Sequence, residues 1–155
     1  MSLSCICKVV NPFLQKKFVY ANLLTSGGVS MKGKDSKESV ENYLETILIL
    51  KHKLGQVRSV DIVRAMDFKK PSVSVAMKKL RESALIEMDA EGFITLTKEG
   101  LARAESVYER HTVLQRLLMG LGVPEEIAVE DACRIEHVIH AETFARLKEH
   151  VSKQY

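Results

Sequence analysis

The sequence predicts a mainly α protein, an N-terminal winged helix-turn-helix followed by a further helical domain. Three observations carry this reading: apolar residues recur at threes and fours along several segments, two short segments of that kind meet at a tight turn, and a pair of short β-rich runs follows at once. At 155 residues, 46% apolar and 28% charged, the chain has the balance of a globular protein with one or two small domains. Disorder and fibre are excluded.

From Ser36 onward, Val40, Tyr43, Leu44, Ile47, Leu50 and Leu54 form one apolar stripe, with Ser36 as the expected N-cap and Gly55 as the stop. Ser59 is expected to cap a short second helix through Met66, in which Val60, Ile62 and Val63 are apolar. A tight turn, Asp67-Phe68-Lys69-Lys70, leads to a third helix opened by Pro71 and running to about Ser83, with Val73, Ala76, Met77 and Leu80 inward. Leu85-Ile86-Glu87-Met88 and Phe93-Ile94-Thr95-Leu96 flank residues 89–92 as a small hairpin. A long fourth helix is predicted from Lys98 to about Gly120, a fifth from Pro124 through Ile139, and a sixth from Ala141 to Ser152.

Residues 1–34 lack a sustained helical period and carry five lysines and no acid. They read as an N-terminal extension, either a mobile basic arm or a stretch preceding a start at Met31, and Cys5-Ile6-Cys7 is too sparse for a metal site. No run of about 18 apolar residues is present, so no membrane partner is expected, and with three cysteines a reduced, cytoplasmic setting fits best. Taking the five lysines from a net charge of +3 leaves −2 for the body, so its charge is informative only locally. Residues 64–81 hold six basic groups against Asp67, and residues 125–142 hold six acids against Arg134. One region suits a polyanion and the other a cation.

The basic region coincides with the leading end of the third helix. Lys69, Lys70, Pro71, Ser72, Ser74 and Val75 are placed to meet a major groove, the lysines and hydroxyls on phosphates, Pro71, Val75 and Ser72 on base edges. Lys78 and Lys79 add salt-dependent attraction. The bland alternative, a merely solvated helix face, loses ground because a hairpin follows.

In the acidic region, Cys133, Glu136 and His137 stand at i, i+3 and i+4, which puts thiolate, carboxylate and imidazole on one arc of about 100° of helix surface. His111 lies on the apolar stripe of the fourth helix, and Asn42 and Glu45 lie a turn apart on the first. Singly, His111 and Cys133 are ordinary core residues; together, burying these groups without a cation is costly. Cys133-x-x-Glu136-His137 also has the spacing of an inverted zinc-protease signature, with Glu136 as general base, but three helices offer little substrate cleft. The chain is therefore expected not to be an enzyme and to take no small organic substrate.

Segments 39–47 (Ser-Val-Glu-Asn-Tyr-Leu-Glu-Thr-Ile), 70–74 (Lys-Pro-Ser-Val-Ser), Arg110-His111 and above all 130–138 (Glu-Asp-Ala-Cys-Arg-Ile-Glu-His-Val) carry a resemblance. From about Ser36 to Lys148 the chain resembles the diphtheria toxin repressor family of metal-dependent transcriptional regulators, which includes the manganese transport regulators. The resemblance implies a winged-helix DNA-binding domain over residues 35–107, a helical metal-binding and dimerisation domain over residues 108–155, and a homodimer on a palindromic double-stranded operator. It also implies repression of manganese or iron uptake genes, with Mn(II) or Fe(II) as the bound ion. Cys133, Glu136 and His137 match the family's helix-five ligands, Asn42 falls where a helix-one Met or Asp ligand stands, and Glu45 and His111 match the extra ligands of the manganese branch. Asn42 is a neutral ligand, which brings in Glu41 or Glu45; Gln115 and Val129 stand where iron-type members have ancillary ligands; and ending at Tyr155 leaves no room for an SH3-like third domain. The runner-up expectation is a metal-independent or redox-responsive winged-helix regulator acting through Cys133.

Overall fold

The computed structural model describes residues 35–154, and side chains from residue 39 onward. The extension, Cys5, Cys7 and Tyr155 lie outside the described residues. The element order is α1 (Asp35–Leu54), α2 (Ser59–Met66), α3 (Lys70–Glu82), β1 (Ile86–Met88), β2 (Ile94–Leu96), α4 (Lys98–Gly120), α5 (Glu125–Ile135) and α6 (Ala141–Gln154). The mainly helical, winged helix-turn-helix reading is borne out.

The helix α1 is buried on more than one stripe. Every residue from Tyr43 to Leu50 is shielded, because α2, β2 and α4 all pack against it. That environment draws two polar side chains, Glu45 and Thr46, into the interior with the leucines and isoleucines. The helix starts at Asp35, so Ser36 is inside it rather than capping it.

Ser59 likewise falls inside α2; its N-cap is Arg58, whose N–H donates to Asp61 Oδ2 at 2.8 Å. The acid three residues on supplies what the cap side chain does not, an acceptor for a first-turn donor. Asp67 closes α2 in the left-handed conformation (φ 53°), and the chain re-enters helix at Lys70 with Pro71 in the first turn. Val73, Met77 and Leu80 of α3 are buried, so its opposite face is left to solvent.

β1 and β2 pair antiparallel in the register Ile86↔Leu96, Glu87↔Thr95, Met88↔Ile94. A bridge from Arg58 to Phe93, with Ile94 N–H donating to the Val57 carbonyl at 2.7 Å, adds a short third edge that ties the wing to the start of α2. The hairpin closes through Gly92 (φ +81°) and a bond from Phe93 N–H to Asp89 Oδ1 at 2.8 Å.

Thr97 couples the wing to the next helix. Its Oγ1 accepts from Gly100 N–H at 3.1 Å as the N-cap of α4 and donates to the Ala84 carbonyl at 2.8 Å, while its own N–H donates to the Leu85 carbonyl at 3.1 Å. A Cβ on Gly100 would lie 1.9 Å from the Leu85 oxygen, so only glycine allows the helix to start this close to the wing.

The helix α4 then packs on α1, α5 and α6. α5 ends at Ile135, four residues short of the predicted Ile139. Ile139 N–H and Val138 N–H both return to the Ile135 carbonyl, and the chain turns so that α6 can lie on α4. α6 itself continues to Gln154, past the predicted Ser152.

Candidate metal centre and nucleic-acid face

Three elements, α1, α4 and α5, converge on one buried cluster. The buried stripe of α4, running through Gly100, Ala104, Val107, His111 and Leu114, advances by threes and fours, which commits His111 to the interior. The buried stripe of α5 runs Ala128, Val129, Ala132, Cys133 and continues to Glu136 at its C-cap. Glu45 comes from the enclosed part of α1. His111 Nδ1 and Glu136 Oε2 are 2.9 Å apart, and one ligand atom from each of Glu45, His111 and Glu136 lies within 4.8 Å of the other two. All three side chains are 1% exposed or less.

The donor set fits a divalent cation. His111 Nε2 and Asn42 Oδ1 are buried without a hydrogen-bond partner, as is the Thr46 hydroxyl. Leaving such atoms unpaired costs about 1–3 kcal/mol each, which a shared cation offsets. Two carboxylates and an imidazole form an oxygen-rich, intermediate-to-hard set of the kind that suits Mn(II) or Fe(II).

His137 extends this centre sideways. Its Nδ1 lies 2.9 Å from Glu41 Oε2, and its Nε2 lies 3.2 Å from Glu136 Oε1, near but not aligned as a hydrogen bond. Burial alone would push the imidazolium down; the Glu136 and Glu41 carboxylates outweigh it and raise the ring to about 9. The two oxygens of Glu136 thus face two different histidines.

Of the six residues singled out from sequence, the structure draws Glu45, His111 and Glu136 into one cluster, with His137 beside it through Glu136. Asn42 places a buried oxygen on α1, one turn from Glu45. Cys133 lies outside the three-residue cluster, buried among the apolar core that includes Leu44, Ile47 and Val129. Two residues escaped the sequence reading. Thr46 was signalled only as a hydroxyl in an apolar run, and Arg110 only as the neighbour of His111, with no role read for it: its Nη1 donates to the Glu136 carbonyl at 3.3 Å, while its guanidinium sits 5.9 Å from the Phe144 ring. Arg110 therefore fixes the end of α5 where Glu136 and His137 leave the helix.

Lys69, at the N-cap of α3, and Lys70, Pro71, Ser72, Ser74, Val75, Lys78 and Lys79 along it are all exposed, away from its buried stripe. Lys78 is 3.8 Å from Glu82, an exposed pair that screens part of its charge. The residues Met119, Leu121 and Ile127, 42%, 72% and 51% exposed, gather large apolar surface at the α4–α5 connection. Among the described residues no helix is long and apolar enough to cross a membrane.

Comparison with known proteins gives a uniform picture. Residues 35–92 match the family model described as iron dependent repressor, N-terminal DNA binding domain, and residues 97–154 match the one described as iron dependent repressor, metal binding and dimerisation domain. The transcriptional regulator MntR of Escherichia coli is 36% identical over 107 residues, covering 69% of each chain. An uncharacterised HTH-type transcriptional regulator of Methanocaldococcus jannaschii is 30% identical over 113 residues, 72% of this chain and 90% of that one. The iron-dependent repressor IdeR of Mycobacterium bovis is 30% identical over 111 residues, 71% of this chain and 48% of its own. Among solved structures, the manganese regulator SloR superimposes with a TM-score of 0.65 at 28% identity, over 73% of this chain and 53% of that one. ScaR with bound Cd2+ gives 0.64 at 26%, over the same shares. The chain thus spans about half the length of IdeR and of these two structures.

Proposed function

The chain belongs to the iron-dependent repressor family of metal-dependent transcriptional regulators, and on that premise we propose that it represses manganese or iron uptake genes when Mn(II) or Fe(II) occupies the centre on Glu45, His111 and Glu136. The observation that carries this is the split origin of the cluster. Glu45 lies in the segment matched as DNA-binding, whereas His111 and Glu136 lie in the segment matched as metal-binding and dimerising. A bound divalent cation supplies a positive centre shared by carboxylates and imidazole. Holding Glu45 against His111 and Glu136 pins α1 to α4 and α5, and with α1 the reading helix α3 and the wing. Asn42, Cys133 and His137 complete the ligand set in this reading, with Asn42 offering its unpaired amide oxygen and His137 its ring once deprotonated.

Residues 35–107 then act as the reading module and residues 108–155 as the metal-binding and dimerisation module, with α4 common to both. The exposed face of α3, from Lys69 to Lys79, meets the major groove of each half of a palindromic operator, and the apolar surface at Leu121 and Ile127 meets a second copy. The site of action is the cytoplasm, on double-stranded DNA. A cation favouring this closed arrangement shifts its population by its differential affinity alone.

The test is anaerobic fluorescence anisotropy of chelator-stripped protein on promoter fragments of its own and neighbouring metal-transport genes, with Mn(II), Fe(II), Zn(II) or none. One metal is expected to tighten binding by about tenfold or more, about 1.4 kcal/mol of coupling. Tight binding indifferent to metal, or metal-stimulated binding unchanged in His137→Ala, overturns the reading in favour of a metal-independent regulator.

A further inference from the structure

The cluster of Glu45, His111 and Glu136 is sealed from solvent, so an ion that reaches it must cross a protein wall. A cleft of about 250 Å³ lies on the seam between α1 and α4, with Glu41, Ala102, Ser106 and Val107 on its walls and Glu99 at its side. Cleft and cluster are one helical turn apart on both helices: Glu41 precedes Glu45 by four residues and Val107 precedes His111 by four, a rise of about 6 Å on each. Glu41 belongs to both compartments, since it lines the cleft and its carboxylate stands 2.9 Å from His137, whose ring lies 3.2 Å from Glu136.

We propose that this cleft is the entry route for the divalent cation, and that Glu41 is the residue that passes the ion from solvent to the buried cluster. The proposal rests on the metal-centre reading above. The volume is enough for a cation with several of its waters, at about 30 Å³ for each. A carboxylate one turn short of the final ligands lets bound waters be exchanged stepwise for protein oxygens, avoiding a naked ion in an apolar passage. Two arginines share the wall without opposing this: Arg103 is paired with Glu99 at 2.5 Å, and Arg110 is directed to the Glu136 carbonyl and the Phe144 ring.

The experiment follows Co(II) uptake by the full chain in stopped-flow absorption, and its release in an EDTA chase. Ala102→Leu and Ser106→Leu narrow the cleft from exposed positions on α4 that are not among the proposed ligands. A passage used in both directions predicts that uptake and release slow together by about tenfold, with Kd changed less than about threefold. Glu41→Gln is expected to slow uptake at least as much. Wild-type rates in all three variants overturn the route, and so does faster release with weakened affinity in the two leucine variants, which would mark the wall as a support of the site. A wild-type chain that takes up no Co(II) overturns the metal-centre reading itself, so the two failures are distinct.

Discussion

Replacing Glu136 by Gln preserves side-chain shape in a fully buried position while removing the charge that lies between His111 and His137. In the wild type, free Mn(II) at 100 times its Kd stabilises the folded chain by about 2.7 kcal/mol. For a domain of this size that raises the melting temperature by about 10 °C, at about 4 °C per kcal/mol. Losing a carboxylate that faces both histidines is expected to weaken affinity at least about 100-fold, since even residues that merely orient ligands are worth 10- to 100-fold. At the same Mn(II) concentration the variant is then half-saturated and gains about 0.4 kcal/mol, a shift of only about 2 °C. Without metal the variant also loses the charge that holds His137 protonated and faces His111, so its metal-free melting point is expected to fall below that of the wild type. Differential scanning fluorimetry with and without Mn(II), with anisotropy on an operator fragment, reads both arms. An undiminished metal-induced shift in Glu136→Gln would refute the placement of this carboxylate in the centre.

Titration of His137 gives a second handle: its raised value, about 9 against an ordinary 6.5, contributes stability fully below about 6.5 and loses it as pH rises through about 9. The metal-free chain is expected to lose thermal stability over that window while Mn(II) binding, which must expel the same proton, tightens by up to about tenfold per pH unit, and a metal-free melting point flat from pH 6.5 to 9 counts against the Glu41–His137–Glu136 contacts. Lys70→Ala is expected to weaken binding to all DNA sequences alike and to lower the slope of log K against log salt by about 1; an unchanged slope takes Lys70 out of the interface. Gly100→Ala forces a methyl onto the Leu85 carbonyl and is expected to lower stability by about 2 kcal/mol or more in urea titration, with an unaltered midpoint as the contrary result. Leu121→Asp, at a side chain 72% exposed in one copy, is expected to yield monomers in sedimentation velocity, and an intact dimer places the interface elsewhere.

The order of elements was legible because each is written locally. Period, turn residues and the Pro71 and Gly92 signals act within a few positions, and helices α2 and α3 and the hairpin fall within a residue or two of where the pattern puts them. Helix ends were less legible, since Ser36 and Ser59 look like caps but the helices begin two residues and one residue earlier than such caps predict, and the early end of α5 accompanies the docking of α6 on α4. Within the centre, the i, i+3, i+4 spacing exposed Glu136 and His137, and a histidine on an apolar stripe exposed His111. What spacing could not show is which of these share a point in space. That Cys133 joins the apolar core, that Glu41 reaches His137 across 96 positions of chain, and that Arg110 holds the end of α5 are products of helix packing, with no short-range trace.

The Thr97 junction turns α4 into a lever. Its head is fastened to the entry of the wing by the Thr97 hydroxyl bond to the Ala84 carbonyl, by the Thr97 N–H bond to the Leu85 carbonyl and by a glycine pressed on that same carbonyl, while Leu85 N–H, bonded to the Leu80 carbonyl at 2.9 Å, ties the same segment to the end of the reading helix. His111 lies thirteen residues along that arm from Lys98, about 20 Å. A displacement of about 1 Å at His111 therefore swings the wing and α3 by about 3° around the junction, and at a radius of about 17 Å, half the spacing of two successive major grooves, moves a reading side chain by about 1 Å. Hydrogen bonds to base edges tolerate about half that. A shift at the cluster too small to register as a conformational change is, at the end of this arm, the difference between a reading side chain that meets its contact and one that misses it.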